Sequence, residues 1–210
     1  IRIPEGVTNI GNSVFRGCSS LTSITIPNSV KIIGLGAFDG CRSLTSITLP
    51  HSVRTIGLGA FEGCSQLERV DLRNTHVRKI DKSTFEGCFK LKNVVFPNTL
   101  TTIGKDAFYH CDRLKHVVFP NTLSTIESRA FSSLHETYLT IIYDGDSPID
   151  IHATAFHNRD ITVRLKNYNL HGSFENKGAN SITFEYQTLM GKSLQLLGQR
   201  PEKDDVHLRF

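Results

Sequence analysis

The sequence lacks the features that mark membrane-spanning, nucleic-acid-binding and catalytic proteins. Its 210 residues include no Trp and one Met, and no apolar run approaches the roughly 20 residues of a membrane-spanning helix. The net charge is +4, and the basic residues form no run like a nucleic-acid-binding arm. Nucleotide-binding loops and the H-E-x-x-H and G-x-S-x-G motifs are missing. We therefore expect a folded protein that is not an enzyme, with no cofactor, no metal site and no nucleic-acid partner.

The chain also lacks an initiator methionine. It begins Ile1-Arg2-Ile3-Pro4, partway through a repeat, and we expect a fragment or a processed product. The absence of a signal peptide is then uninformative, and the sequence alone leaves the compartment unknown.

What is present is a repeat of 23 residues, with one step of 24 where Arg73–His76 holds an extra residue and lacks the proline. The clearest copies read LTSITIPNSVKIIGLGAFDGC and LTSITLPHSVRTIGLGAFEGC. The unit is L-x-x-I-x-I/L/F-P-x-x-V/L-x-x-I-G-x-x-A-F-x-x-C-x-x. The recurring residues are Phe15, Phe38, Phe61, Phe85, Phe108 and Phe131; Cys18, Cys41, Cys64, Cys88 and Cys111; and Pro4, Pro27, Pro50, Pro97 and Pro120.

Each part of the unit has a physical interpretation. Ile24 and Ile26 alternate as in a short strand, and Pro27 ends the strand because it has no N–H. Gly34 permits a sharp corner. The following Gly36–Cys41 segment predicts one short helical or 3₁₀ turn with Ala, Phe and Cys inward. A single unit cannot bury its apolar face alone, so we expect neighbouring units to stack with parallel strands.

This pattern resembles the BspA-like, or Treponema pallidum-type, 23-residue class of leucine-rich repeats. The resemblance covers residues 1–131, and a degenerate copy extends it to about residue 165. It implies a repeat solenoid with a short parallel β-sheet on the concave side and short 3₁₀ or helical turns on the convex side. At the usual Asn-ladder position this chain instead has hydroxyl residues, which we expect to bond the neighbouring backbone. They are Ser29, Ser52, Thr99 and Thr122.

The domain organisation follows from where the repeat decays. We assign residues 1–165 to the solenoid. Residues 166–210 form either a C-terminal β cap or the start of a truncated β segment, and both alternatives stay open. Strands are predicted at Ser181–Gln187 and, more weakly, at Leu194–Leu197 and Val206–Phe210.

The five cysteines admit three interpretations: disulfides, a metal site or a ladder of free thiols. All five share one inward repeat position, so their side chains run parallel about 4.8 Å apart. That arrangement suits neither the twisted geometry of a disulfide nor ligands that converge on one metal ion. We therefore favour a buried free-thiol ladder.

Other polar groups have mainly structural interpretations. The glycine pairs at Gly34/Gly36 and Gly57/Gly59 repeat once per coil, which indicates corners rather than a phosphate loop. His110, Asp112 and His116 lie close in sequence but should face different directions, so a metal role is disfavoured. A small basic edge could contact an anionic partner, although a solvated rim is the simpler interpretation. It consists of Lys90, Lys92, Arg113 and Lys115.

The candidate binding surface comprises the strand residues between the inward positions. Its first half, Ser23, Thr25, Ser46 and Thr48, is small and hydroxylated. The second half exposes an apolar strip with a polar border, as protein interfaces do. Against this, Val and Ile simply suit strands, or the C-terminal segment covers them. The predicted site residues are Arg69, Asp71, Asn93, Val95, His116, Val118, Thr140 and Ile142.

Two functions remain open. The family resemblance implies a non-enzymatic protein-interaction module, surface-exposed and adhering to host or matrix proteins or to other cells. The alternative is an intracellular scaffold or targeting domain of a larger protein or effector. The sequence identifies no ligand.

Overall fold

A computed structural model describes residues 1–166, 168–174, 178–187 and 193–198. This part of the chain is a parallel-strand β-solenoid of about seven coils with almost no helix, which confirms the predicted leucine-rich repeat solenoid. In chain order the strands are β1 Asn9–Ile10, β2 Ile32–Ile33, β3 Ser46–Thr48, β4 Thr55–Ile56, β5 Arg69–Asp71, β6 Lys79–Ile80, β7 Asn93–Val95, β8 Thr102–Ile103, β9 His116–Phe119, β10 Thr125–Ile126, β11 Thr137–Tyr143, β12 Asp150–Ile151, β13 Arg159–Leu165, β14 Ser181–Gln187 and β15 Ser193–Gly198.

Each regular coil contributes to two parallel ladders. The strand face is built from β3-β5-β7 and β9-β11-β13-β14-β15, and the second ladder from β1-β2-β4 and β6-β8-β10-β12. Pairing keeps equivalent repeat positions together, as where Ile47 lies opposite Val70 and Val70 opposite Val94. The second ladder was not predicted, because its two-residue strands are too short for an alternating pattern.

The third side of the coil is a chain of overlapping turns. Its N–H groups alternate: Asp39 N–H donates within the coil to Gly36 O (3.1 Å), whereas Phe38 N–H donates to Ala60 O of the next coil (2.8 Å). Because every second donor serves the next coil, the consecutive bonds of a helix do not form. Gly36 adopts a φ of +56°, which favours glycine. Among the described residues the 3₁₀ helix is Tyr168–Ser173.

Gly34 has a different role from the one predicted. Its φ is not in the left-handed region, but a Cβ there would lie 2.7 Å from the carbonyl carbon of Gly11. The glycine is therefore needed because two coils approach closely, not because the corner is sharp.

A stack of phenylalanine rings forms the centre of the core. Phe38 and Phe61 are fully buried, with ring centroids 5.1 Å apart and planes 4° apart. The stack runs from Phe15 to Phe156 with near-parallel neighbouring rings. The spacing follows the distance between coils, which is set by the strands at about 4.8 Å. Ring stacking and backbone pairing thus reinforce one register.

The hydroxyl residues hydrogen-bond the neighbouring backbone as predicted. Ser52 Oγ donates to Val30 O (2.6 Å), Thr99 Oγ1 to Val77 O (2.8 Å) and Thr122 Oγ1 to Leu100 O (2.7 Å). Ser29 Oγ accepts from Gly6 N–H (3.1 Å). Three of these bonds satisfy backbone carbonyl groups and the fourth satisfies a backbone N–H, all from the turn that follows each strand.

Four of the five cysteines form a buried ladder. Each of their Sγ atoms donates to the carbonyl of a Phe one coil back, as Cys64 does to Phe38 O (3.2 Å). Burial raises the pKa of the Cys64 thiol to about 12, so it is neutral at pH 7. The prediction that all five are buried is wrong for Cys18. It is exposed because its place is in the first coil, where no earlier described coil covers it.

This contrast predicts selective thiol labelling. In the native protein one thiol, Cys18, should react with a small alkylating reagent, since buried neutral thiols are poor nucleophiles. Unfolding in denaturant without reductant should release all five. Mass spectrometry of the labelled peptides checks the assignment, and rapid native labelling of Cys64 or Cys88 would contradict the ladder.

Both ladders contain an interruption among the regular coils. The second ladder breaks between β4 and β6, where the 24-residue repeat replaces the proline turn. There the N–H and Oγ1 of Thr75 both donate to Leu72 O, at 2.9 and 2.8 Å. The strand face breaks between β7 and β9, next to Phe96 and Phe119. These two rings occupy the strand-end position that holds Leu in the two preceding coils.

The last coils continue the strand face beyond the regular repeats. β13 pairs in parallel with β11 and with β14, and β15 returns antiparallel. The predicted strands at Ser181–Gln187 and Leu194–Leu197 are confirmed. Val206–Phe210 lies outside the described residues. The division into 1–165 and 166–210 stays a prediction.

Arg159 fills the cysteine position of the last coil, three residues after Phe156. Its side chain is fully buried, and its donors reach three carbonyl oxygens: Nε to Phe131 (2.7 Å), Nη1 to Leu114 (3.1 Å) and Nη2 to Cys111 (2.9 Å). Burial lowers the pKa of its guanidinium group. Leu134, at the same repeat position one coil earlier, is 61% exposed. Arg159 therefore bridges a coil that lacks its cysteine.

Candidate partner-binding face

The strand face carries two outward rows of side chains in register. One row contains Ser46, Arg69 and Asn93 on paired strands, and the other contains Thr48, Asp71 and Val95. Beyond the break the rows continue through β9 and β11, where His116 pairs with Thr140 and Val118 with Ile142. The eight predicted site residues thus share one face. The structure places Val95 and Val118 on opposite sides of the ladder break rather than in direct pairing.

Three of these residues form what we term the apolar strip: Val95, Val118 and Ile142. Val118 is 58% exposed, while Val95 and Ile142 are partly buried. A depression of about 190 Å³ lies at the ladder break, and its lining includes Val95, Phe96, Val118 and Pro120. The break therefore turns two adjacent outward positions into a shallow apolar recess.

Ion pairs border the apolar strip on the β5 side. Asp71 Oδ1 accepts from Arg73 Nε (3.0 Å) and from Arg73 N–H (3.2 Å), and Arg69 Nη2 lies 3.5 Å from Asp71 Oδ2. Partial burial alone would raise the pKa of Asp71. The two hydrogen bonds from Arg73, the charge of Arg73 and a hydrogen bond from Arg69 outweigh it, so the pKa is lowered overall. This carboxylate is thus ionised at pH 7 and fixed in direction.

The other border was missed by sequence reasoning. On β13 and β14 the outward rows continue as Thr162 and Thr183, and as Arg164 and Glu185. Arg164 lies directly opposite Ile142, and its Nε pairs with a Glu185 carboxylate oxygen. The alternation of Ile161, Val163 and Leu165 contained this signal, since it sets Thr162 and Arg164 outward.

The predicted basic edge is largely partnered. Lys90 Nζ donates to Gln66 Oε1 (2.6 Å), and Lys92 Nζ lies 2.9 Å from Glu68 Oε2. Lys115 Nζ stands 4.2 Å from the centroid of the Tyr138 ring, a cation–π contact. These contacts favour the rim interpretation over a dedicated anion site.

The histidines and carboxylates do not converge. The His110 ring lies 4.0 Å from the Tyr109 ring, and Asp112 Oδ1 accepts from Ser133 Oγ (2.7 Å). His116 is exposed on the strand face. Within the described ranges, no three His, Cys, Asp or Glu side chains are placed to hold a metal ion. In the same part of the chain, no helix is long and apolar enough to cross a membrane.

The repeated coil, the parallel strand face and the turn side define a leucine-rich repeat solenoid. A sequence profile described as the BspA type leucine rich repeat region matches residues 1–111 and 78–190, with six copies. The chain belongs to this family, a family of protein-interaction repeats.

Solved structures agree on the fold. A leucine-rich repeat protein from Eubacterium ventriosum ATCC 27560 is 28% identical over 75% of this chain and 42% of its own, with a TM-score of 0.67. One from Bacteroides ovatus ATCC 8483 is 24% identical over 88% of this chain and 54% of its own, with a TM-score of 0.57. The chain thus spans about half the length of these proteins. Among curated proteins, none matches the sequence.

Proposed function

We propose that this chain is a non-enzymatic, surface-exposed recognition domain that binds a protein partner through the strand face. The observation that carries the proposal is the apolar strip. Val118 is 58% exposed beside a recess shared with Val95, and fixed ion pairs stand on both borders. Exposed apolar side chains of this kind stabilise an interface when a partner covers them, and a polar rim sets its orientation.

The coils preceding the strip have a supporting role in this proposal. Thr25 and Thr48 occupy the same outward row, but they are small hydroxylated residues and do not line the recess at the ladder break. Of their inward neighbours, Ile47 is buried in the core and Ile24 is partly buried against it. The regular repeats thus hold the strip rigid, while the less regular coils supply the contacts.

A matched pair of double variants tests the proposal. Val95→Asp with Val118→Asp should weaken binding of a partner, isolated by pull-down from extracellular-matrix extracts, by at least about 100-fold. The reason is that two charges would be buried in an apolar interface, each costing about 1.4 kcal/mol or more. Titration calorimetry with the purified partner measures the change.

Thr25→Asp with Thr48→Asp is the control. It adds the same two charges to the same outward row, so binding should change by no more than about threefold. Circular dichroism should show both variants folded. Unchanged affinity of the folded Val95/Val118 variant would contradict the proposed site. Equal weakening by both variants would also contradict it, because added negative charge alone would then explain the loss of binding.

A further inference from the structure

The second ladder carries a row of cationic side chains that is separate from the strand face. Lys31, Arg54 and Arg78 occupy one repeat position in three successive coils, and all three are exposed. The N–H of Arg54 donates to Lys31 O (2.9 Å), so these two are direct neighbours on adjacent coils. We term this set the basic row.

The basic row is uncompensated. No ion pair in the described part of the chain includes Lys31, Arg54 or Arg78, in contrast to the largely partnered Lys90 and Lys92. From the first coil to the sixth, neither outward row of the second ladder contains a carboxylate. These rows read Thr8, Lys31, Arg54, Arg78, Thr101 and Ser124, and Asn9, Ile32, Thr55, Lys79, Thr102 and Thr125.

The basic row concentrates positive charge along one side of the solenoid. The backbones of Lys31 and Arg54 are paired and lie about 4.8 Å apart, within the screening length of physiological salt, about 8 Å, and Arg78 follows across the ladder break. A chain of anionic groups that runs along the solenoid would relieve the repulsion between these cations. Hydroxyl residues at both ends of the row, Thr8 and Thr101, can hydrogen-bond sugar hydroxyl groups.

The surroundings distinguish between linear polyanions. Neither outward row contains an aromatic residue, and single-stranded nucleic acids are bound by aromatic side chains on which bases stack. The backbone at Lys31 and Arg54 is already paired between coils, so an acidic peptide would find no free strand edge there. From this we infer that the basic row binds a linear sulfated polysaccharide, with one sulfate or carboxylate group near each cation.

Binding of heparin, a sulfated polysaccharide, tests the inference. The protein should bind heparin at 50 mM NaCl, and affinity should fall as salt rises. Replacing all three residues, Lys31→Gln, Arg54→Gln and Arg78→Gln, should weaken binding at least about tenfold and flatten the salt dependence, because three counterion-releasing contacts are lost.

The matched control removes the same charge elsewhere. Lys90→Gln with Lys92→Gln and Arg113→Gln lowers the net charge equally but should change heparin affinity by less than about twofold. No binding by the unmodified protein, or equal weakening by both triple variants, would overturn the inference. So would equal binding of desulfated heparin, or tighter binding of single-stranded oligothymidylate.

A measurement on the unmodified protein is independent of how the variants fold. Heparin should protect Lys31 from amine acetylation, read by mass spectrometry, while Lys90 in the same sample stays as reactive as without heparin. Protection of both lysines, or of neither, would contradict a site on the basic row.

Discussion

Replacing Arg159 by methionine will lower the free energy of unfolding by about 3–5 kcal/mol. The guanidinium group is fully buried and donates to carbonyl oxygens of Cys111, Leu114 and Phe131. Cys111 O keeps a bond from the Leu114 N–H (3.0 Å), but within the described residues no other hydrogen bond reaches Phe131 O or Leu114 O. Each buried acceptor that loses its partner costs about 1–3 kcal/mol, and methionine has no donor to replace Arg159. Part of this cost is offset because the variant no longer buries a cation. Urea unfolding followed by circular dichroism measures the difference.

Arg164→Met is the control for this effect. Arg164 is also on β13, but its side chain is mostly exposed and pairs with Glu185 at the surface. Surface ion pairs contribute about 0–1 kcal/mol, so this variant should unfold close to the unmodified protein. An Arg159→Met variant as stable as Arg164→Met would show that the three carbonyl contacts do not stabilise the last coils.

Replacing Phe61 by alanine will destabilise the solenoid by about 3–5 kcal/mol. Phe61 is fully buried, and its ring stacks on Phe38 at 5.1 Å and on Phe85 at 5.4 Å. The substitution removes the apolar surface of one ring and leaves a cavity between two coils, which the paired strands prevent from collapsing. The unfolding midpoint in urea, compared at an unchanged slope, measures the loss.

Phe15→Ala makes the same chemical change at the end of the stack. Phe15 is only partly buried and stacks on one described ring, Phe38, at 5.2 Å. It should cost about half as much or less, because less apolar surface returns to water. Equal losses for the two variants would mean that the stack does not stabilise the coils through burial.

Much of the fold could be predicted because the repeat multiplies each local signal. Phe38, Phe61 and Phe85 stand at one position of the unit, so one inward assignment fixes the whole stack. The hydroxyl bonds of Ser52 and Thr99 followed in the same way. Periodicity also placed the outward rows of the strand face, since inward and outward residues alternate along each strand.

What could not be predicted depends on contacts between distant coils. The acceptors of Arg159 lie 28 to 48 residues earlier in the chain, and an arginine in the sequence does not by itself indicate a buried cation. The available signal was its position: Arg159 follows Phe156 by three residues, as each cysteine follows the phenylalanine of its repeat. The ladder break between β7 and β9 was also hidden, because the repeat between them keeps its normal length of 23.

The candidate site, like the fold, could be predicted only in part. The eight residues from Arg69 to Ile142 share the predicted face, while their role in binding stays a prediction. The recess beside Val118 and the Arg164–Glu185 border could not be foreseen. The first arises from a gap between strands, and the second belongs to coils in which the repeat had decayed.

The most direct test of the account asks whether a bound partner covers the apolar strip. Single cysteines would be placed at Val118 and, separately, at Thr48, both in a Cys18→Ser background where the four remaining native thiols are buried. In the saturated complex, maleimide labelling of Val118→Cys should slow at least about tenfold, because interface centres exclude water, while Thr48→Cys should label at its free rate. Unchanged labelling of Val118→Cys in the saturated complex would contradict the account.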